Sequence, residues 1–152
     1  MQAMSPKSTK FVIVDIDGTL SCFKHRLHLV PPKEEQGKQE AWRQFVAASV
    51  DDPAFHQTIN TVNDLKVAGC SIIILTARSE EFREITEKWL KENCVAYDKL
   101  IMRSLDDLRS DEDIKEEVLR KAGLEKIRCV FEDSPRVVKR LREMGLQVYQ
   151  CQ

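Results

Sequence analysis

The stretch Phe11-Val12-Ile13-Val14-Asp15-Ile16-Asp17-Gly18-Thr19-Leu20 constrains this chain more than any other. Four consecutive apolar residues read as a strand buried on both faces, the kind that parallel sheets contain. Two carboxylates, with one residue between them, follow where such a strand ends, and open α/β sheets bind their ligands at that end. Gly18 and Thr19 let the backbone turn away. Two clustered carboxylates repel each other, and a cation between them or a proton on one relieves the cost. Such a pair can divide a reaction. One carboxylate serves as nucleophile and the other as acid/base, with a magnesium ion holding a phosphate between them.

The remaining pattern predicts the sheet. Apolar runs at 71–75, 99–102, 128–131 and 146–149 read as four more strands after the first at 11–16. Helical periodicity separates them. Residues 80–93 place Phe82, Ile85, Trp89 and Leu90 on one face. Residues 111–122 place Ile114, Val118 and Leu119 together and stop at Gly123, and residues 135–144 begin at Pro135 and end before Gly145. Alternating strand and helix predicts a Rossmann-like three-layer α/β sandwich. Its five-stranded sheet is mostly parallel, with right-handed crossovers. The gap from 21 to 69 exceeds one helix. Residues 54–68 read as the crossover helix, and 39–50, with Trp42, Phe45 and Val46, as an extra helix set off by Pro31-Pro32. Residues 1–152 then form one domain, with 21–52 a small helical insert beside the site. An insert this short leaves an open mouth for a bulky substrate such as a polynucleotide end.

Length and composition narrow the setting. A chain of 152 residues is enough for one real core. Lys+Arg 24 against Asp+Glu 25 gives a net charge of -1. That excludes a global attraction to nucleic acid or anionic membrane and leaves only local patches. No apolar run approaches membrane-spanning length. Residues 1–10 lack the apolar segment of a signal peptide, and Met4 reads as a possible start after a short extension. Cys22, Cys70, Cys94, Cys129 and Cys151 are scattered with no C-x-x-C, which argues against a zinc site or disulfide framework. Cys70 and Cys129 read as small core residues, and a reducing cytoplasm is the expected location.

Further strand ends add chemistry. The second gives Leu75-Thr76-Ala77-Arg78, the fourth gives Phe131-Glu132-Asp133-Ser134, and Lys115 lies on the helix leading to the fourth. A hydroxyl, a cation and two more acids at one sheet edge make a phosphate-and-magnesium site. This order resembles the haloacid dehalogenase superfamily of phosphotransferases, and its four motifs span most of the chain. The resemblance implies that Asp15 attacks phosphorus to form an aspartyl-phosphate. It implies that Asp17 protonates the leaving oxygen, then activates water, while its backbone carbonyl binds Mg2+. Thr76 would hold the phosphoryl group and Lys115 would offset its charge. Asp133, with Glu132 beside it, would complete the metal site with Asp15 and Asp17. Glu132 departs mildly from the family's usual acid there, leaving open which of the two touches metal.

A narrower pattern, R-x-x-x-D-x-R-x-D-x-x-x-K, runs from Arg103 to Lys115. It is similar to the 3'-phosphatase domain of phage-type polynucleotide kinase/phosphatase enzymes, whose arginines Arg26 and Arg78 also match. Guanidinium groups suit phosphate because they are planar, forked and always charged. Arg26, Arg78, Arg103, Arg109 and Asp111 are therefore the expected substrate-binding set, for a nucleotide or a nucleic-acid 3' end. The kinase half's G-x-x-x-x-G-K-[ST] is absent, so the expectation is a stand-alone phosphatase. Plainer readings stand beside these. Arg109 and Asp111 also read as a surface ion pair, and Arg103 as a partner for a nearby acid. His25 and His28 read as solvated, and Trp42 and Trp89 as packing. The run Arg136, Lys139, Arg140, Arg142 reads as a helix face. A small-molecule nucleotidase or general phosphatase is the rival function, and a non-catalytic nucleic-acid-end binder the rival of another class.

Overall fold

A computed structural model describes residues 10–151, and the readings of a leader and of Met4 fall outside them. Five strands, β1 (Phe11–Val14), β2 (Ser71–Ser79), β3 (Lys99–Arg103), β4 (Ile127–Glu132) and β5 (Val148–Gln150), form one sheet in the order β3-β2-β1-β4-β5. Every pairing is parallel. The helices are α1 (Arg43–Ala47), α2 (His56–Val67), α3 (Arg83–Glu92), α4 (Asp111–Ala122) and α5 (Pro135–Glu143).

Alternation along β1 builds the three layers. Val12 and Val14 pack with Ile59 and Val62 of α2 and with Trp89 and Leu90 of α3. Ile13 packs on the opposite face with Leu119 of α4 and with Val137, Val138 and Leu141 of α5. A strand covered on both faces needs apolar residues at every position, which is why its sequence shows no polar alternation. β1 is central, with β2 on one side and β4 on the other. The crevice at the carboxyl ends of these three strands is the switch point of the fold.

The structure adjusts several expected boundaries. β1 ends at Val14, two residues early, because Gly18, Thr19, Leu20 and Ser21 fold back into a turn. The amides of Thr19, Leu20 and Ser21 all donate to the Ile16 carbonyl. β2 runs on to Ser79, but its register with β3 shifts between Leu75 and Ser79. Thr76, Ala77 and Arg78 thus lie in an irregular stretch of the strand. The expected single helix at 39–50 is instead a 3-10 turn (Gln39–Trp42), the short α1 and a second 3-10 turn (Ala48–Asp51). This segment wraps a buried side chain. The Phe45 ring covers the Arg26 guanidinium at 4.2 Å, and the Phe45 carbonyl accepts Arg26 Nη1–H at 3.0 Å. Among the described residues no helix is long and apolar enough to cross a membrane.

Candidate active site

Asp15 leaves β1 with its amide donating to the Phe131 carbonyl of β4. That bond sets its carboxylate beside the end of β4. α4 delivers the cation. Ser110 caps it by accepting the Asp113 amide, Leu119 packs it on the sheet with Ile13 and Leu75, and Ile114 is buried. Lys115, buried on the same helix, donates Nζ–H to Asp15 Oδ1 at 3.0 Å and to Glu132 Oε2 at 2.6 Å. Thr19 Oγ1 lies 3.4 Å from the other Asp15 oxygen. Burial lowers the affinity of Lys115 for its proton, but Asp15 and Glu132 outweigh it and raise the ammonium above its ordinary value.

Asp15, Glu132 and Asp133 offer carboxylate oxygens that all lie within 4.8 Å of one another. Three acids share one ammonium, so the cluster lacks positive charge. Burial and the neighbouring Glu132 push Asp15 well above the usual carboxylate range, with Lys115 pulling the other way. Burial and Glu132 likewise push Asp133 up to about 6, against a compensating contact with Asp15. An all-oxygen donor set short of positive charge fits a hard divalent cation such as Mg2+. The two oxygens of Glu132 are already engaged. Oε2 accepts from Lys115, and Oε1 accepts the amides of Asp133 and Ser134 at 3.1 and 3.2 Å. Asp15 gives Oδ1 to Lys115 and has only the 3.4 Å contact from Thr19 on Oδ2, so Asp15 Oδ2 and the Asp133 carboxylate are the less engaged oxygens. Gly18 makes room for them. It has φ +82°, and a Cβ there would sit 2.1 Å from Asp133 Oδ2.

The Asp17 carboxylate faces a different environment. Arg78 grips it with two donors, Nε to Oδ2 at 3.0 Å and Nη2 to Oδ1 at 2.7 Å, and Arg26 Nη2 also donates to Oδ1. Burial raises this carboxyl, but Arg78 and Arg26 prevail and hold it well below the usual range. Thr76 is buried at the irregular end of β2, where its hydroxyl accepts the Arg78 amide at 3.2 Å. The site thus brings together Asp15, Asp17, Thr76, Arg78, Lys115, Glu132 and Asp133 at three adjacent strand ends.

The other expected residues sit differently. Arg26 is 0% exposed, and its donors go to Asp52, Asp17 and the Phe45 carbonyl. Direct grip on a substrate phosphate does not match that position. Arg103 donates to the carbonyls of Ala77, Asp107 and Arg109 and to the Asp111 carboxylate, so it ties down the loop after β3. Arg109 pairs with Asp107 and Glu117 at the surface. Gln39 reaches the same loop, donating to the carbonyls of Ser104 and Asp107. His28 is exposed as expected, but His25 is not simply solvated, since its Nε2 lies 2.7 Å from Asp52 Oδ1. Both tryptophans pack: Trp42 edge-on to Phe45, and Trp89 buried with its indole N–H on the Asp52 carbonyl. On α5, Arg136 and Arg140 pair with Glu112, Asp113 and Glu116 of α4, so that basic face is matched by acids. All five cysteines are free, with Cys70 and Cys129 buried.

This geometry agrees with a family. The model of the polynucleotide kinase PNKP phosphatase domain matches residues 9–152. The chain belongs to that family. It is a phosphatase domain of the haloacid dehalogenase type. Among solved structures, a chain from a Pnkp1/Rnl/Hen1 complex is 28% identical with a TM-score of 0.75, over 97% of this chain and 48% of that one. A chain from a Pnkp1/Rnl/Hen1 RNA repair complex is 27% identical at 0.74, over 97% and 44%. The chain thus spans about half the length of either. A haloacid dehalogenase-like hydrolase from Streptococcus pneumoniae shares the fold at 14% identity and a TM-score of 0.65, over 95% of this chain and 85% of that one. No curated protein matches.

Sequence reasoning missed Asp52 and Thr86. Asp52 is buried and accepts from both Arg26 and His25, while Thr86 Oγ1 accepts Arg78 Nη1–H at 3.2 Å. The one signal for Asp52 was an acid directly before Pro53, where the chain must be extended.

Proposed function

We propose that this phosphatase is Mg2+-dependent, works through an aspartyl-phosphate on Asp15, and removes 3'-phosphates from nucleic-acid ends or nucleotides. The observation that carries the chemistry is the Asp15–Lys115–Glu132 cluster with Asp133 beside it. The nucleophile's carboxyl lies 3.0 Å from an ammonium, in a nest of oxygens short of positive charge, where a bound cation would favour its ionised form. The phosphate of a substrate brings its own charge there, and both Lys115 and a cation are suited to offset it.

In the first step an Asp15 oxygen donates its electron pair to phosphorus. The ester P–O bond breaks, its electron pair stays on the leaving oxygen, and that oxygen takes a proton through Asp17, which Arg78 and Arg26 hold ionised in the free protein and which takes that proton from the P–O–H of the substrate's monoester monoanion. In the second step water attacks phosphorus, gives its proton to Asp17, and releases Asp15 as a carboxylate. Thr76 and Lys115 hold the transferring phosphoryl group. Asp15, Asp133 and the Asp17 backbone carbonyl would hold a Mg2+ ion, which would supply positive charge to offset that of the carboxylates and the phosphate. Glu132 orients Lys115 and the turn after β4.

Family membership supports the 3'-phosphate substrate, as does the likeness to proteins assembled in an RNA repair complex. Residues 21–52 lie beside the site as part of the same folding unit, and five free cysteines suit a reducing cytoplasm. One observation favours the simpler reading of a general phosphomonoesterase or nucleotidase. Arg26 and Arg103 spend their donors on the protein itself, which weakens the case for several substrate phosphates. The test compares 3'-phosphorylated oligonucleotides, nucleoside monophosphates and p-nitrophenyl phosphate, each with and without Mg2+. A specificity constant highest for the oligonucleotide supports the proposal. Equal constants across the three support the general phosphatase, and full turnover after exhaustive chelation rejects the metal.

A further inference from the structure

Asp52 lies outside every motif, yet it is among the most completely buried acids of the chain. Its side chain is held at the end of the 3-10 turn Ala48–Asp51, just before Pro53. Three donors converge on it. Arg26 Nε reaches Oδ1 at 2.8 Å, Arg26 Nη2 reaches Oδ2 at 2.6 Å, and His25 Nε2 reaches Oδ1 at 2.7 Å. Its own backbone carbonyl accepts the indole N–H of Trp89 at 3.0 Å, which fixes the turn to α3. The two-point grip of Arg26 on Asp52 is the fork geometry that guanidinium and carboxylate favour. It sets the plane of the guanidinium, and the Phe45 ring and carbonyl close the other sides.

The same Nη2 of Arg26 also donates to Asp17. Asp17 therefore sits between two guanidinium groups, each oriented from behind. Thr86 accepts from Arg78, and Asp52 accepts from Arg26. Three guanidinium contacts hold the carboxylate that must meet the leaving oxygen. A burial this complete is hard to explain as packing alone. An apolar side chain in place of Arg26 would fill the same space without burying an ion pair, which is often neutral or better for stability.

We infer that Asp52 is a positioning residue, which orients Arg26 and through it the Asp17 carboxylate that exchanges the proton with the leaving oxygen. His25 is the outer support of the same line. The inference rests on the phosphatase mechanism proposed above. It differs from a substrate-binding role for Arg26, because Arg26 acts on the protein's own acid and not on the ligand.

A leaving group's need for a proton separates positioning from mere folding. An alkyl phosphate, such as a nucleoside 3'-phosphate, must be protonated as it leaves, whereas p-nitrophenolate leaves readily without help. A positioned acid contributes roughly 10²–10⁴-fold where the proton is needed. Asp52→Asn should therefore lower kcat on the alkyl phosphate on the order of ten- to a hundredfold more than on p-nitrophenyl phosphate, with KM little changed. The fold is checked by circular dichroism and thermal unfolding. An equal loss on both substrates, or no loss, overturns the inference while leaving the phosphatase mechanism intact. If Asp52→Asn does not fold, the same ratio measured in His25→Ala, a half-exposed position, decides. A shift of about two- to fivefold in the same direction supports the inference, and an unchanged ratio overturns it. Failure of the unaltered protein to turn over either substrate removes the mechanism and the inference together.

Discussion

Asp15 and Asp17 are two residues apart and live in opposite surroundings. Asp15 is buried, shares a single ammonium with Glu132 and stands near Asp133, so its carboxyl is pushed up. Asp17 lies between Arg78 and Arg26, so its carboxyl is held down. Neighbouring acids driven apart by their environments are the mark of a site in which each has its own task. The lesson lies in what each environment lacks. The Asp15 side wants positive charge, which a metal ion can supply. The Asp17 side is already balanced by two guanidinium groups and two carboxylates, and needs geometry more than charge.

The largest effect should come from removing the nucleophile. Asp15→Asn keeps the size and one acceptor but ends covalent attack. Turnover of p-nitrophenyl phosphate should fall on the order of 10³-fold or more, with the thermal transition retained. A folded variant with near-normal rate would mean that the two carboxylates are not divided in this way.

Next comes the metal side. Asp133→Ala removes a free oxygen beside Asp15, and a charge-assisted contact is worth roughly 1.5–3 kcal/mol. The Mg2+ concentration for half-maximal activity should rise about ten- to a hundredfold. Glu132→Gln should shift that midpoint less, because both Glu132 oxygens already serve Lys115 and the Asp133 and Ser134 amides. A larger shift for Glu132→Gln would reverse the assignment of the metal ligand.

A smaller effect tests the space between the two sides. Gly18→Ala places a methyl group against the Asp133 carboxylate and forces an L side chain to φ +82°. The backbone strain costs roughly 1–2 kcal/mol. The Mg2+ midpoint should also rise by about tenfold or less, since the carboxylate is displaced and not removed. A rise in midpoint with no loss of thermal stability would locate the whole effect at Asp133.

Much of this arrangement was legible in the sequence. Strands buried on both faces leave unbroken apolar runs, and their order with the helices predicted a parallel sheet and its switch point. Asp15, Asp17, Thr76, Lys115 and Asp133 could be marked because each stands at a strand end or on a periodic helix. Asp52 could not, because its link to Arg26 spans 26 residues and depends on the path of short turns. The segment 39–50 was misjudged for the same reason. Its apolar residues suit a helix, but they close around a guanidinium, and such enclosure has no period. The closeness of Gly18 to Asp133 is likewise a three-dimensional fact, made by β1 and β4 pairing.

The smallest expected effect is on stability, and its sign distinguishes the two sides. Asp133 has an ordinary value of 3.8 and is pushed up to about 6 in the fold. Between those values the folded protein holds a proton that the unfolded chain has released. Linkage then makes stability fall as pH rises across that window, and Asp15 is shifted in the same direction. Asp17 acts in reverse. It stays ionised in the fold where the unfolded chain takes up a proton, so its contribution is lost as pH falls below about 4. Without metal, the unfolding temperature should therefore rise as pH is lowered from 7 toward 5. The expected rise is roughly 2–4 °C, what about 1 kcal/mol gives a domain of this size, and the temperature should drop again in stronger acid. Saturating Mg2+ should erase or invert the first trend, because the cation binds the ionised carboxylates and supplies the missing charge. It should leave the acid limb in place, since the guanidinium groups that hold Asp17 do not depend on metal. Differential scanning calorimetry from pH 3 to 8, with Mg2+ and with chelator, reads both limbs. A slope between pH 5 and 7 that Mg2+ does not alter would show that the raised carboxyls are not the ones that hold the ion.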